Sequence, residues 1–198
     1  MGKDDSIFIV TDAMKKAAFL DRDGVINDDV GHLDSVQGLR LLPSAAAAIR
    51  RLNEKGYCVI VVTNQGGVAK GFITPRALEE IHDEIRIRLA KDGAQIDAIY
   101  YCPHHPEGVI PEYTSVCGCR KPGTDMIARG AAEFDIDFAD SFLVGDKSTD
   151  ILAGKRMGLR TVLIQGSADR AAEERTPEDE AAPDFIARDL AEAITYFL

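Results

Sequence analysis

The chain has 198 residues, 45% of them hydrophobic and 28% charged, with a formal net charge of -10. That length supports one domain with a full core and no disulfide staples, and the acidic balance excludes nucleic acid and anionic membrane surfaces as general partners. It leaves open a phosphorylated small molecule held by a local cluster of cations.

The first sixteen residues, MGKDDSIFIVTDAMKK, form an extension ahead of a single domain spanning 17–198. Acidic residues stand where a signal peptide would be basic, and no apolar run in the chain reaches the roughly 18–20 residues of a membrane span. A cytoplasmic location is expected, where thiols stay reduced and clustered cysteines bind metal more often than they pair.

The first apolar run, AAFL (17–20), reads as a buried strand followed by Asp21-Arg22-Asp23-Gly24. Pro43 and Ser44 open a helical stretch that stops at Gly56. The strand YCVIVV (57–62) then leads into Thr63-Asn64-Gln65-Gly66-Gly67. A long helix follows, with Thr74 at its N-cap, Pro75 in its first turn and Gly93 as its terminator. The strand IDAIYY (96–101) runs into a loop rich in cysteine and histidine that ends at Arg120-Lys121. KPGTDMIARGAAEF makes a helix, SFLVG (141–145) a strand followed by Asp146, Lys147 and Asp150, STDILAGKRMG a helix, and RTVLI (160–164) the last strand. The acidic segment 168–184 reads as a solvated loop or short helix, and ARDLAEAITYFL as a closing helix.

Strands alternating with helices give an α/β fold, a Rossmann-like parallel sheet with helices on both faces. Ligands bind such sheets at the carboxyl ends of the strands. All but the last of these strands end in residues capable of chemistry. Asp21, Asp23 and Asp146 offer the carboxylate oxygens that Mg²⁺ prefers. A carboxylate can also attack phosphorus, provided that cations such as Mg²⁺, Lys121 or Lys147 screen the phosphate charge. Thr63 and the backbone N–H groups of the turn after it can hold equatorial phosphate oxygens. A second carboxylate, Asp23, can protonate the leaving oxygen. Taken singly, these stretches read as solvated aspartates, a turn, a helix cap and a surface lysine; their common position at strand ends is what argues for function.

These residues resemble the haloacid dehalogenase-like hydrolases. FLDRDGVIN matches that family's first motif, VVTNQGG its second, the Lys of CRKPG its third and FLVGDKSTD its fourth, over residues 17–165. The resemblance implies that Asp21 is the nucleophile and a Mg²⁺ ligand. It makes Asp23 the general acid and then base, binding Mg²⁺ through its backbone carbonyl, and Asp146 the third Mg²⁺ ligand. Thr63 and Lys121 would stabilise the phosphoryl group. Arg22, Asn27, Asp29, His32, Asn64, Gln65, Arg120 and Lys147 fall on substrate-binding positions, and Asp150 would stand behind the ligands. The implied reaction removes the C7 phosphate of a heptose 1,7-bisphosphate, a step towards nucleotide-activated heptose for cell-surface glycans such as lipopolysaccharide. The alternative is hydrolysis of histidinol phosphate, whose phosphatases have a shorter cysteine loop. A non-catalytic binding module would be expected to lack at least one of Asp21, Asp23, Lys121 and Asp146, and all are present. No segment is long enough for a second domain, so the cap is minimal and the insertions after Asp23 and Tyr101 shape the entrance. A monomer suffices.

The loop 102–121 holds three of the four cysteines and two of the four histidines. A disulfide clip, a structural metal site and a catalytic metal site compete for it. Cys102-x-His104 and Cys117-x-Cys119 form two pairs, and a Cys₃His set closes the tetrahedron around a structural Zn²⁺. The family pattern selects His104 over His105. Cys58 reads as a buried core thiol, and His82, in a helix among charged residues, as a surface or packing residue.

Overall fold

The computed structural model describes residues 14–165 and 182–198. Residues 1–13 of the expected extension and most of the acidic segment lie outside the described residues.

The elements follow in the order β1 (Ala17–Leu20), α1 (Ala45–Glu54), β2 (Cys58–Asn64), α2 (Pro75–Lys91), β3 (Ala98–Cys102), α3 (Asp125–Phe134), β4 (Phe142–Gly145), α4 (Ser148–Arg156), β5 (Arg160–Ile164), β6 (Phe185–Ala187) and α5 (Leu190–Ala193). The described strands make one sheet in the order β3-β2-β1-β4-β5-β6, with every pair parallel. The order reverses beside β1, because β2 lies on one side of it and β4 on the other. A cleft opens at such a switch point, above the carboxyl ends of the strands.

The central strands β1, β2 and β4 are buried on both faces, and side-chain alternation divides the core in two. Ala18, Leu20, Val59, Val61 and Val144 point to the face covered by α1, α2 and α5. Ala17, Phe19, Ile60, Val62 and Leu143 point to the face carrying Met126 and Ile127 of α3 and Ala153 of α4. Helix α3 packs close because Gly130 has no side chain: a Cβ there would stand 3.1 Å from the Tyr100 ring and 3.2 Å from Ile60.

The start of α2 follows its sequence signals, with Thr74 Oγ1 accepting from Ala77 N at 3.2 Å. Ser44 stands at the N-cap of α1 but makes no side-chain cap bond. The closing stretch departs from the single helix expected. Residues 185–187, just ahead of it, add an unexpected strand β6 to the edge of the sheet, and α5 is four residues long before a 3₁₀ turn. Aromatic packing holds this tail: the Phe142 and Phe197 rings stack at 3.9 Å, and Phe185 and Tyr196 at 4.2 Å. Asp184, the last residue of the segment expected to be solvated, is tied down, accepting from Thr161 N at 2.7 Å and pairing with Lys155 Nζ at 2.6 Å.

Candidate active site

The sheet brings the ends of β1, β2 and β4 together, and with them Asp21, Thr63 and Asp146. Asp21 N continues the β1–β4 ladder by donating to Val144 O at 2.9 Å, which fixes the backbone that presents its carboxylate. Gly24 turns the chain sharply away, with φ +78°, and a Cβ there would overlap the Asp146 carboxylate, so only glycine lets these two segments meet.

Lys121 is buried, and its Nζ donates to Asp21 Oδ1 at 2.8 Å and to Val62 O at 2.7 Å. It also pairs with Asp150 Oδ1 at 2.5 Å. The desolvation of this ammonium is outweighed by the charges of Asp150 and Asp21, which leave its pKa above the usual lysine value. Asp150, assigned from sequence only a place behind the ligands, thus holds Lys121 on one oxygen and accepts from Lys147 N on the other at 3.1 Å.

The carboxylates of Asp21, Asp146 and Asp150 lie within 4.8 Å of one another, all buried. Burial, opposed by Lys121, raises the Asp21 carboxyl. Burial and then the charges of Asp21 and Asp150 push Asp146 up to about 8. Three like charges sharing a desolvated site need more positive charge than one lysine supplies. Oxygen donors in this arrangement suit a hard divalent cation.

Asp23 does not join that cluster. Its carboxylate receives Arg22 Nη2 on both oxygens at 2.8 Å, Asn27 Nδ2 at 2.8 Å and Gln65 Nε2 at 2.9 Å. Burial acts to raise its pKa, but the Arg22 charge and these hydrogen bonds outweigh it and hold the carboxyl below its usual range. Several residues expected at the substrate bond to their neighbours in the site. Arg22 is 1% exposed and Asn27 is fully buried, so neither reaches solvent, and both grip Asp23. Gln65 links Asp23 to Thr63 Oγ1, to which it also donates at 2.9 Å. Asn64 clamps the backbone of Lys121, accepting from its N at 2.9 Å and donating to its O at 3.0 Å.

The remaining positions lie at the rim. The Lys147 side chain is half exposed and stands 3.4 Å from Asp29, and acidic neighbours, Asp146 foremost, raise its pKa against the effect of burial. The ring of His32 lies 4.4 Å from that of the exposed Phe72. Arg120 donates to His104 O at 3.4 Å and passes close to Gly66.

Of the two readings of His82, surface or packing, the structure supports packing. The residue is 1% exposed, and its Nε2 lies 3.3 Å from Arg22 Nη1. The signal was present in sequence: Leu78, His82, Ile85 and Leu89 follow the i, i+4, i+7, i+11 spacing of one buried helix stripe. Burial first, then the charges of Arg22 and Arg86, push its pKa down to about 3, against 6.5 for a free imidazole. The neutral ring contributes its full stability above pH 6.5. That contribution is lost as pH falls towards 3, because the unfolded chain takes up a proton that the folded one refuses. The wild type is expected to lose up to about 1.4 kcal/mol per pH unit more than His82→Gln over this window. Denaturant unfolding at pH 7, 5.5 and 4.5 measures the difference, and parallel curves for the two proteins would contradict it.

The cysteine loop closes on itself. Cys102, His104, Cys117 and Cys119 place their donor atoms within 4.8 Å of one another, with His104 Nδ1 3.4 Å from Cys119 Sγ. The sulfurs stand 2.9 to 3.5 Å apart, beyond a disulfide bond, and all the cysteines are free. Burial raises the Cys102 thiol; a soft metal would displace such protons, and four protein donors leave it no open position. His105 turns away to the second-motif turn, where a Cβ on Gly66 would meet its ring at 3.1 Å. Cys58, placed in the core by sequence, is only half-buried, packed beside the α3 face.

This loop is tied to the turn that follows β2. Gln65 N donates to Cys102 O at 2.8 Å, and Ala69 N to Pro103 O at 3.2 Å. Val109 N and Ile110 N both donate to Ala69 O, at 2.8 and 2.9 Å. Among the described residues no helix is long and apolar enough to cross a membrane.

A family model described as HAD-hydrolase-like matches residues 118–193. The chain is 36% identical over 183 residues to a D-glycero-β-D-manno-heptose-1,7-bisphosphate 7-phosphatase from Haemophilus ducreyi, covering 92% of this chain and 98% of that protein. It is 39% identical over 144 residues to the corresponding α-anomer enzyme of Photorhabdus laumondii, covering 73% and 79%. The crystal structure of a D,D-heptose 1,7-bisphosphate phosphatase from B. bronchiseptica, complexed with magnesium and phosphate, superimposes with a TM-score of 0.78 at 34% identity, covering 91% of this chain and 97% of that one. Similarity of this degree along nearly the whole length of both chains makes this protein a member of the haloacid dehalogenase-like hydrolases, in the family of the heptose-1,7-bisphosphate 7-phosphatases.

Proposed function

We propose that the protein removes the C7 phosphate of D-glycero-D-manno-heptose 1,7-bisphosphate, leaving heptose 1-phosphate, through an aspartyl-phosphate on Asp21. The observation that carries this reading is the Lys121–Asp21 contact inside the buried carboxylate cluster, which pairs a nucleophile with a cation for the phosphoryl group. In the first half-reaction an Asp21 oxygen bonds to phosphorus, the bond to the C7 oxygen breaks, and protonated Asp23 gives its proton to that oxygen. In the second, ionised Asp23 takes a proton from water as the water oxygen bonds to phosphorus. The Asp21–phosphorus link then breaks and inorganic phosphate leaves. The proton given up in the first half-reaction is thus recovered in the second, and the negative charge of bound phosphate favours the protonated form of Asp23 against the pull of Arg22. Thr63 and Lys121 hold the equatorial oxygens throughout.

Asp21 and Asp146, with the backbone carbonyl of Asp23, would hold Mg²⁺, which when bound supplies positive charge against the phosphate and relieves the crowding of carboxylates. Cys102, His104, Cys117 and Cys119 would hold a structural Zn²⁺. Arg120, Lys147, Asp29 and His32 at the rim would meet the sugar and its second phosphate. The reading is completed by one phosphatase domain over 17–198, acting as a monomer in the cytoplasm on a product destined for nucleotide-activated heptose.

The histidinol-phosphate alternative finds no support in the relatives' names, which specify heptose bisphosphate for either anomer. Steady-state kinetics with both anomers of the bisphosphate and with histidinol phosphate test the proposal. A higher kcat/KM for one of the bisphosphates is expected, and a preference for histidinol phosphate would overturn it.

A further inference from the structure

Arg22, 1% exposed, is a buried charge beside the site that the chemistry itself does not use. Its Nε and Nη2 fork onto the Asp23 carboxylate at 3.1 and 2.8 Å, and Nη2 also donates to Gln65 Oε1 at 3.1 Å. That leaves Nη1 pointing away from Asp23. A buried guanidinium N–H without a partner is costly, and the side chain would turn to satisfy it. The partner on that side is His82 Nε2, at 3.3 Å, reaching in from the middle of α2.

Arginine can only donate, so Nε2 must accept and the imidazole proton must sit on Nδ1. The Nδ1 side faces Glu79 Oε2 at 3.8 Å, beyond hydrogen-bond distance. The ring is packed against Tyr101, with ring centroids 5.6 Å apart, and so is held in place from the other side. A neutral acceptor here satisfies Nη1 without drawing the guanidinium charge off Asp23; a carboxylate in its place would compete for that charge.

We propose that His82 is a positioning residue for proton transfer: as a neutral Nε2 acceptor it fixes the Arg22 guanidinium, and Arg22 in turn fixes the Asp23 carboxylate that protonates the leaving group. The inference rests on the phosphatase reading above. It assigns a role to helix α2, which contributes none of the reacting groups. Asp23 is held from three directions, by Asn27, Gln65 and Arg22, and only the Arg22 arm depends on a residue outside the strand-end loops.

A general acid matters most when the leaving group is a poor one. Sugar alkoxides need the proton, whereas p-nitrophenolate leaves without it. The full-length, metal-loaded enzyme is therefore compared with His82→Leu, which lacks the acceptor, and His82→Gln, which restores a neutral one. With the heptose bisphosphate, His82→Leu is expected to lose about ten- to a hundredfold in kcat, as misplaced catalytic groups do, with KM little changed. With p-nitrophenyl phosphate, the first-turnover burst of p-nitrophenolate is expected to keep its wild-type rate, because that step needs no proton from Asp23. His82→Gln recovers most of the lost alkyl-phosphate turnover. If the Leu variant does not fold, His82→Met makes the same comparison.

Undiminished kcat in the Leu or Met variant would overturn the proposal. So would an equal loss on the bisphosphate and in the aryl burst, or a failure of Gln to rescue. If the wild type prefers another alkyl phosphate, the substrate reading fails by itself; that phosphate then replaces the bisphosphate, and the His82 comparison is read in the same way.

Discussion

Replacing Asp21 by Asn is expected to abolish turnover of every phosphate monoester, by about a thousandfold or more, while the fold persists. The carboxamide keeps the shape of the carboxylate but cannot form the acyl-phosphate bond. The surroundings tolerate the change because Lys121 keeps a second anionic partner, Asp150, at 2.5 Å. Removing one of three crowded negative charges also relieves Asp146, whose raised pKa owes more to Asp21 than to any other neighbouring charge. The variant should thus melt at or above the wild-type temperature. Acid-quenched reactions analysed by mass spectrometry should find phosphate on the Asp21 peptide in the wild type and none in the variant. Wild-type-like turnover by Asp21→Asn would remove that residue from its role.

Cys119→Ser is expected to have the largest effect on stability. Cys119 Sγ stands at 2.9 to 3.4 Å from the other three donors, so its loss opens the whole cluster. Metal binding of this kind is coupled to the folding of the loop that provides the ligands. The loop is joined to the ends of the strands through Gln65 and Ala69 on the second-motif turn and through Lys121, whose backbone Asn64 clamps. The variant should bind no zinc and should melt about 10 °C lower, the shift that a loss of about 3–4 kcal/mol produces in a domain of this size. Its kcat should fall because Lys121 and Arg120 lose their support, with the Mg²⁺ dependence unchanged. A zinc-free protein with full activity and an unaltered melting curve would break the link between the loop and the site.

The sheet and the gathering of polar residues at its strand ends were legible because both rest on local patterns. AAFL and RTVLI coincide with β1 and β5 to the residue, since buried parallel strands are short apolar runs between polar ends. The metal-ligating spacing of Cys102, His104, Cys117 and Cys119 was legible for the same reason. The tail was not. Three residues of β6 carry no periodic signal, and stacking of Phe185 and Phe197 on distant rings decides their conformation. Nor could motif positions tell a residue that touches the substrate from one that holds a neighbour. Arg22, Asn27, Asn64 and Gln65 all fall in the motifs, yet Arg22, Asn27 and Gln65 bond to the Asp23 carboxylate and Asn64 to the Lys121 backbone. The partnership of Arg22 with His82 spans sixty positions and exists only once α2 packs over the sheet.

The central claim is that phosphate leaves from C7 while the C1 phosphate stays. Phosphorus NMR of heptose 1,7-bisphosphate incubated with the Mg²⁺-loaded protein tests it in one spectrum series. The C7 phosphomonoester signal is expected to decay as inorganic phosphate grows, with the anomeric phosphate signal retained in full. Loss of the anomeric signal, or a spectrum unchanged over many enzyme equivalents, would contradict it.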